Sequence, residues 1–282
     1  MLGTCDRAIQ ALAGMTKKAV KSFVVECCLG PFKLLHATTG KSEFVKSLRT
    51  GSRIILNPSQ KIQFIQWVKP AYEPHILHLA KRVLEPGDLA IDIGAHVGYW
   101  TLVFSDLVGP GGRVVSIEPE SANYLRLTRN LSFNRKTETT IPVHAALSDK
   151  DTVGTLSICD HNEGGHYVTP TADVGGGPQQ EIQLRTLDGI LSEVRSLPRC
   201  KLLKMDVEGH EVPALRGMVQ LLSGPHPPSH MIVEAAKGNV PSREGVFRLL
   251  TGYGYRCRNI FHPDQSAEVM QGGADMYFSL PS

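Results

Sequence analysis

Residues 88–98 read Asp-Leu-Ala-Ile-Asp-Ile-Gly-Ala-His-Val-Gly, and this stretch decides the fold. The apolar run from Leu89 to Ile93 has the length and composition of a buried parallel strand. Gly94 and Gly98 follow it, and residues 99–104 continue as a predicted helix. A strand, a glycine turn and a helix in this order bring backbone close to a small ligand in α/β proteins.

The acidic residue at the end of this strand, Asp92, indicates the kind of ligand. A carboxylate there would repel a phosphate group and attract a cation. The dinucleotide pattern G-x-G-x-x-G is absent, and so is the Gly-Lys-Ser/Thr element of a phosphate loop. S-adenosylmethionine carries a sulfonium and an ammonium and no phosphate, so the stretch favours this cofactor over a nicotinamide dinucleotide.

Composition excludes several classes of protein. A chain of 282 residues with 41% hydrophobic and 20% charged residues is an ordinary globular chain, large enough for one domain with an appendage. The basic residues concentrate in residues 1–81, where twelve Lys or Arg face four Asp or Glu. A solvated helix face explains this better than an acidic partner does. Aromatic residues are not interleaved with the basic ones, so we expect no nucleic-acid partner.

Membrane and secretion signals are also missing from the pattern. No apolar run reaches the roughly 18–20 residues of a membrane helix, and the first residues do not resemble a signal peptide. The six cysteines show no paired spacing, which indicates a reduced, cytoplasmic protein.

Strands and helices alternate from residue 70 onward, which predicts a doubly wound, mostly parallel sheet. We predict core strands at Leu89–Ile93, Val114–Ile117, Ile141–Leu147, Leu202–Met205 and Met231–Val233, and a closing antiparallel pair at Tyr255–Phe261 and Asp275–Leu280. We predict helices at Tyr72–Leu84, Ala122–Asn134, Leu187–Val194, from the fourth strand through Leu222, and at Glu244–Leu250.

The chain divides into two predicted regions. Residues 1–70 form an N-terminal helical and short-strand extension, which packs on the main domain or caps the substrate. In it we expect a helix over residues 9–27 that Gly30-Pro31 ends, and strands at Arg53–Leu56 and Phe64–Val68. Residues 71–282 form the main domain.

An insertion around residues 152–185 interrupts the main domain. Strands at Thr155–Ile158 and Ile182–Leu184 flank a glycine-rich tip, which predicts a hairpin. His161 and His166 in this insertion are weak candidates for metal binding, and a loop that touches substrate is favoured.

Acidic residues follow all five core strands, and the carboxyl ends of parallel strands form the ligand edge of an open sheet. They are Asp92, Glu118 and Glu120, Asp149, then Asp206, Glu208 and Glu211, and finally Glu234. One shared cationic ligand explains them. Glu118 lies 26 positions past Asp92, where a carboxylate commonly accepts hydrogen bonds from ribose hydroxyls.

Five motifs together resemble the FkbM family of S-adenosylmethionine-dependent methyltransferases, over about residues 70–280. They are Asp-Ile-Gly-Ala-His-Val-Gly-Tyr from Asp92, Ser-Ile-Glu-Pro-Glu from Ser116, Ala-Leu-Ser-Asp from Ala146, Arg-Thr-Leu-Asp from Arg185 and Lys-Met-Asp-Val-Glu-Gly-His-Glu from Lys204. The resemblance implies a class I methyltransferase domain, Rossmann-like, with a seven-stranded sheet and an antiparallel last strand. It also implies O-methylation of a sugar or natural product.

The resemblance assigns roles to single residues. Asp92, Gly94, Ala95 and Gly98 would line the methionine end of the cofactor, Glu118 the ribose, and Ser148 with Asp149 the adenine edge. We add His96, Pro119 and Asp206 to the expected cofactor contacts, although His96 is equally well explained as a solvated loop residue.

The expected chemistry is in-line displacement of the methyl group by a hydroxyl oxygen, with S-adenosylhomocysteine as product. Asp206 and Glu208 would organise the site, and His210, with an ordinary pKa of about 6.5, would act as base. Glu211 serves equally well as a helix cap. A divalent metal at Asp206 and Glu208 is not favoured.

Alternatives stay open. The same cofactor site suits an N- or carboxyl-methyltransferase, or a catalytically silent cofactor-binding protein. The expected partner is a small hydroxylated acceptor, and the pattern leaves a homodimer open.

Overall fold

The computed structural model describes residues 29–40, 42–158, 167–169, 178–194, 196–235, 239–263, 265 and 274–281. The predicted helix over residues 9–27, the glycine-rich tip of the insertion, and His161 and His166 lie outside the described residues. The chain divides into two compact units, one of Met1–Lys46 and Ile55–Pro70 and the other of Ser47–Ile54 and Ala71–Ser282.

The first unit is built around aromatic side chains. Its elements are α1 (residues 29–39), the first three residues of β1 (Phe44–Ser47), the last two of β2 (Arg53–Leu56), and α2 (Lys61–Val68). The strands β1 and β2 form a two-stranded sheet. The Phe32 ring packs edge-on against Phe44 and Phe64 at centroid distances of 5.7 and 5.8 Å, and Phe44 lies 5.4 Å from Trp67. Such pairs stabilise a small core beyond the area that they bury.

Two predictions in this unit are wrong. Residues 64–68, predicted as a strand, belong to α2, because Phe64 and Trp67 are three residues apart and only a helix puts both on one face. The Lys46 ammonium donates to the carbonyls of Gln66, Trp67 and Lys69 at the end of α2, which stabilises the helix further. Gly30 and Pro31 lie inside α1, so they do not end a helix.

The second unit contains the predicted seven-stranded sheet. Its strands in chain order are β3 (Leu89–Ile93), β4 (Arg113–Ile117), β5 (Thr140–Val143), β10 (Cys200–Asp206), β11 (His230–Glu234), β12 (Arg256–Arg258) and β13 (Asp275–Ser279). Their order across the sheet is β12-β13-β11-β10-β3-β4-β5, and β13 runs antiparallel to both of its neighbours. This topology confirms the predicted doubly wound fold with an antiparallel last strand.

Helices cover the sheet. They are α3 (Pro74–Val83), α4 (Tyr99–Val108), α5 (Ser121–Phe133), α6 (Leu187–Glu193), α7 (Glu211–Arg216), α8 (Val219–Ser223) and α9 (Val240–Gly252). All five residues of β3 are buried, which is expected for a strand with helices on both faces.

The predicted helix through Leu222 is broken into α7 and α8. The break occurs at Gly217, where any side chain would overlap the backbone oxygen of Ser148. Beyond it, the Asp188 carboxylate accepts from the backbone N–H groups of Gln220 and Leu221 at 2.7 and 2.9 Å. The contact of Gly217 with Ser148 therefore ends α7, and the Asp188 carboxylate caps the beginning of α8.

The insertion forms its own four-stranded sheet. Its strands are β6 (Ala146–Leu147), β7 (Thr152–Ser157), β8 (Tyr167–Thr169) and β9 (Gln179–Arg185), in the order β6-β9-β7-β8. The predicted hairpin is therefore present as the antiparallel pair β7–β9. The predicted strand Ile141–Leu147 is two strands, because β5 ends at Val143 and β6 pairs with β9 instead of continuing the large sheet.

Two further observations concern the helices and the cysteines. Among the described residues, no helix is long and apolar enough to cross a membrane. The two cysteines within the described residues, Cys200 and Cys257, are both free thiols.

The Asp106 carboxylate, in α4, connects the turn at residues 50–52 with Lys136, which follows α5. It accepts from Thr50 Oγ1 at 2.7 Å, from Ser52 N and Oγ at 2.9 and 2.7 Å, and pairs with Lys136 Nζ at 2.8 Å. Although burial opposes ionisation, the hydrogen bonds from Lys136, Ser52 and Thr50 hold the pKa of Asp106 below its ordinary value.

We expect Asp106→Asn to lower the free energy of unfolding by about 2 kcal/mol at pH 7, because a buried charge-assisted network loses its anion. The difference from the parent should shrink as the pH falls below about 4, since a carboxyl with a depressed pKa stabilises the fold only while it is ionised. Urea unfolding measures both. Glu244→Gln, which removes an exposed pair with Arg248, is the control and should change stability by less than about 0.5 kcal/mol. Equal effects of the two substitutions would contradict this assignment.

Candidate active site

The glycine turn after β3 is pressed against the end of β10. Gly94 has φ +76°, and a side chain there would overlap the backbone oxygen of Asp206. The Gly94 and Ala95 N–H groups donate to the Ile117 carbonyl at 2.9 and 3.0 Å. Gly98, with φ +93°, leaves room for Leu127, whose Cδ1 would lie 2.8 Å from an added Cβ. Both glycines are therefore required by backbone conformation and by close approach.

Asp92 is completely buried behind this turn. Its Oδ2 accepts from Thr101 Oγ1 at 2.6 Å, whereas Oδ1 has no partner within the described residues. Burial raises the pKa of Asp92 above its ordinary value. A buried acceptor without a donor is costly unless a ligand supplies one, so Asp92 fits a cationic or hydrogen-bond-donating group.

The Glu118 carboxylate is held in place by the backbone. Oε2 accepts from His96 N at 2.7 Å and Oε1 accepts from Glu120 N at 3.0 Å, and the side chain is 5% exposed. Burial raises the pKa of Glu118 to about 7. Each oxygen keeps a second lone pair, so the group can still accept from the two hydroxyls of a ribose.

The neighbours of Glu118 have structural roles. His96 adopts a left-handed conformation with φ 52°, which directs its N–H to Glu118. Glu120 caps α5 by accepting from Ala122 N and Asn123 N at 2.9 and 2.6 Å. The Pro119 carbonyl accepts from Gln180 Nε2 at 3.0 Å, which joins the insertion to this edge.

Ser148 and His210 are in contact, although we predicted them for different parts of the site. Ser148 Oγ lies 3.2 Å from His210 Nε2, and Ser148 is buried. Burial lowers the pKa of His210, despite the nearby charge of Asp149. The residue predicted as base therefore lies against the residue predicted for the adenine edge, and its lowered pKa favours the neutral imidazole.

The loop after β10 carries the remaining predicted catalytic residues. Glu208 keeps access to water and adopts a left-handed conformation with φ 47°. Partial shielding from water and the like charges of Asp206 and Glu211 raise the pKa of Glu208 to about 7. Glu211 is buried, accepts from Gly209 N at 2.7 Å and from Ser242 Oγ at 2.5 Å, and so closes the loop. These contacts favour the structural role of Glu211.

Sequence reasoning missed a buried cation at this edge. Lys204 is 2% exposed, and its Nζ lies 3.4 Å from Asp206 Oδ2. Burial opposes its charge, but Asp206, Glu73, Asp92 and Glu234 together raise the pKa of Lys204 above its ordinary value. The sequence did offer a signal, because Lys204 lies between Leu203 and Met205 in an apolar predicted strand. Charged residues are almost never buried without partners, so this position predicts acidic neighbours around the lysine.

Two residues near α3 were missed as well. Glu73 precedes α3 and accepts from Trp100 Nε1 at 2.9 Å. His75 Nε2 lies 2.7 Å from Asp275 Oδ2, at the start of β13. Neither residue belongs to a motif, and only the folded chain brings them to the strand ends. Within the described residues, no group of three or more His, Cys, Asp or Glu side chains is arranged to hold a metal ion.

Comparison with known proteins connects this geometry to a chemical class. The family model described as the methyltransferase FkbM domain matches residues 92–257, more than half of the chain. The match includes the glycine turn, Glu118 and the loop after β10.

Two curated proteins are similar to more than half of this chain. Hexuronic acid methyltransferase AglP of Haloferax volcanii is 27% identical over 183 residues, which cover 64% of this chain and 68% of that protein. Methyltransferase sdnD of Sordaria araneosa is 26% identical over 182 residues, which cover 55% of this chain and 68% of that protein. Among solved structures, a methyltransferase FkbM from Methylobacillus flagellatus aligns with a TM-score of 0.42 and 19% identity, over 72% of this chain and 50% of that one.

We expect binding of S-adenosylhomocysteine, the predicted product, to weaken as the pH falls below about 7. The raised pKa of Glu118 means that its carboxylate is lost around neutral pH, and ribose hydroxyls need the ionised form as acceptor. Affinity should fall by up to about tenfold per pH unit below 7. Calorimetric titration between pH 5.5 and 8.5 measures this.

Glu118→Gln is the matched control for this titration. It should bind weakly at every pH and lose the dependence near pH 7. An unchanged pH profile in Glu118→Gln would remove Glu118 from the ribose site.

Proposed function

The chain belongs to the FkbM methyltransferase family, and from that premise we propose that it transfers a methyl group from S-adenosylmethionine to a hydroxyl oxygen of a small molecule. The observation that supports this choice of cofactor is Asp92, which lies beside a glycine turn. Its carboxylate is fully buried, and its Oδ1 has no hydrogen-bond donor within the described residues. The acceptor would be a sugar or another hydroxylated natural product. The match to a hexuronic acid methyltransferase supports a sugar hydroxyl.

The residues present fit the parts of this cofactor. Asp92 would accept from the ammonium of the methionine end, and Gly94, the partly exposed glycine of the turn, would bring backbone close to it. Glu118 would accept from the ribose hydroxyls, and Ser148 with Asp149 would border the adenine. His96 and Pro119 would contribute through the backbone that fixes Glu118 and the insertion.

S-adenosylmethionine supplies a methyl group on a positively charged sulfur, which becomes a neutral thioether when an acceptor oxygen takes the methyl. The protein's tasks are to align the acceptor and to take its proton. Alignment alone can lower the barrier by about 7–11 kcal/mol. Asp206 lies directly against the glycine turn, and we assign it to orienting the acceptor hydroxyl.

The proton is better taken by Glu208 than by His210. A base works best when its pKa lies near the working pH, and the pKa of Glu208 is about 7. Glu208 also keeps access to water, whereas His210 is held against Ser148. We therefore propose Glu208 as the base and His210 as a residue that positions the adenine edge.

The proposed activity is tested first by binding and then by transfer. S-adenosylmethionine and S-adenosylhomocysteine should bind in calorimetry and NAD should not. With deuterated methyl donor and a panel of neutral sugars, uronic acids and their amino analogues, mass spectrometry should show a labelled methyl ether. Labelled N-methyl or methyl ester products would replace O-methylation by the corresponding reaction, and binding of NAD alone would reject a methyltransferase.

Substitution separates the two candidate bases. With the acceptor found in that panel, Glu208→Gln should lower kcat by about 10²–10⁴-fold at saturating cofactor, because the hydroxyl keeps its proton. His210→Ala should lower kcat by less than about tenfold and mainly weaken cofactor binding. A larger loss of kcat in His210→Ala than in Glu208→Gln would return the role of base to His210.

A further inference from the structure

One face of the sheet gathers ionisable groups from four strands. Lys204 stands beside Asp92 in the register of β10 and β3, and Asp206 stands beside Glu234 in the register of β10 and β11. Glu234 in turn pairs with Asp275 of β13. Register partners, and residues two apart in one strand, point to the same side of a sheet, so these five groups share one face.

Other ionisable groups reach this face from the segment before α3 and from α3 itself. The charge of Glu73 raises the pKa values of Lys204 and Glu234. The charges of Lys204 and Glu234 in turn act on the pKa of Tyr72. His75 pairs with Asp275. We call Glu73, Asp92, Asp206, Glu234 and Asp275 the carboxyl cluster. Lys204 is the ammonium at its centre.

The charges of this group do not balance when every carboxyl is ionised. Lys204 supplies one positive charge, and His75 adds a second only when it is protonated, against five acidic groups. Burial and the charges of Asp206 and Asp275 raise the pKa of Glu234 well above its ordinary value, and burial raises that of Glu73. The raised pKa of the buried Tyr72 phenol keeps it neutral. The raised pKa values of Glu234 and Glu73 therefore favour a proton held within the cluster.

Asp92 also bears on the binding of an external cation. Asp92 is fully buried, and its Oδ1 has no partner within the described residues. Gly94 touches the Asp206 carbonyl, so the glycine turn and the cluster are adjacent. A positive charge placed at the turn would lower the proton affinity of the nearby carboxyls.

We propose that the carboxyl cluster exchanges a proton for the sulfonium charge, so that binding of S-adenosylmethionine releases a proton that binding of S-adenosylhomocysteine does not. This inference rests on the proposed function, and it adds a proton balance to the same site. Discrimination between donor and product then depends on pH. Because the two ligands share the ribose, the titration of Glu118 affects both equally.

The exchange also balances the reaction. The acceptor oxygen forms a bond to the methyl carbon, and the electron pair of the carbon–sulfur bond stays on sulfur. The site thus loses the sulfonium charge, and the proton leaving the acceptor hydroxyl passes through the base to a carboxylate of the cluster. The total charge of the site is the same before and after transfer.

Proton counting by calorimetry tests the exchange directly. Each ligand is titrated into the full-length protein at pH 7.5 in phosphate and in Tris, whose ionisation enthalpies differ, and the buffer dependence of the heat gives the protons released. For each protein, the proton count with S-adenosylhomocysteine is subtracted from the count with S-adenosylmethionine. This difference should be about one proton larger in the parent than in Glu234→Gln. Between pH 7 and 8.5 the ratio of the two affinities should accordingly change by about tenfold per pH unit relative to that variant.

Variants separate the cluster from the ligands' own groups. Both ligands carry an amino group at the same place, so the difference between the two ligands, compared across variants, isolates the contribution of the protein. Glu193→Gln, an exposed residue paired with Arg185, should keep the parent's proton count. If circular dichroism shows that Glu234→Gln is unfolded, Asp206→Asn replaces it, and the loss of that negative charge should also reduce the difference.

The outcomes are distinct. Equal proton counts in the parent and the folded cluster variant overturn the exchange but leave the proposed function intact. Failure of the parent to bind either ligand overturns the proposed function itself. A smaller difference in the cluster variant than in the parent and in Glu193→Gln supports the exchange.

Discussion

The ammonium of Lys204 is buried in the central strand β10, and its need for neighbouring negative charge organises the carboxyl ends of the surrounding strands. A buried charge is tolerated only when opposite charges surround it. Four acidic side chains from separate segments meet this requirement, namely Asp92, Asp206, Glu234 and Glu73. The same arrangement gathers acidic groups from β3, β10, β11 and the segment before α3 around one point, and such a concentration of negative charge suits the positively charged methyl donor that we propose.

The ends of the parallel strands show which part of the site could be predicted from the sequence. Parallel strands align their carboxyl ends, so acidic residues at the ends of neighbouring predicted strands lie close together, as Asp206 and Glu234 do. The prediction for Glu118 rests on the same reasoning. His75 and Glu73 could not, because they lie in no motif and reach Asp275 and Trp100 only through the packing of α3.

The errors in secondary structure have a common origin. Residues 64–68 are apolar enough for a strand, but the contacts of Phe64 and Trp67 and the Lys46 ammonium select a helix. The break between α7 and α8 follows from the contact of Gly217 with Ser148, 69 positions earlier in the chain. Both outcomes depend on residues distant in sequence, which local patterns do not register.

We propose that Asp92, Gly94, Asp206 and Glu118 together bind the methyl donor. A crystal structure with S-adenosylhomocysteine should show the ribose hydroxyls on Glu118, the amino acid end beside Asp92 and Gly94, and the sulfur facing Asp206. A ligand bound elsewhere on the chain, or with its ribose away from Glu118, would contradict it.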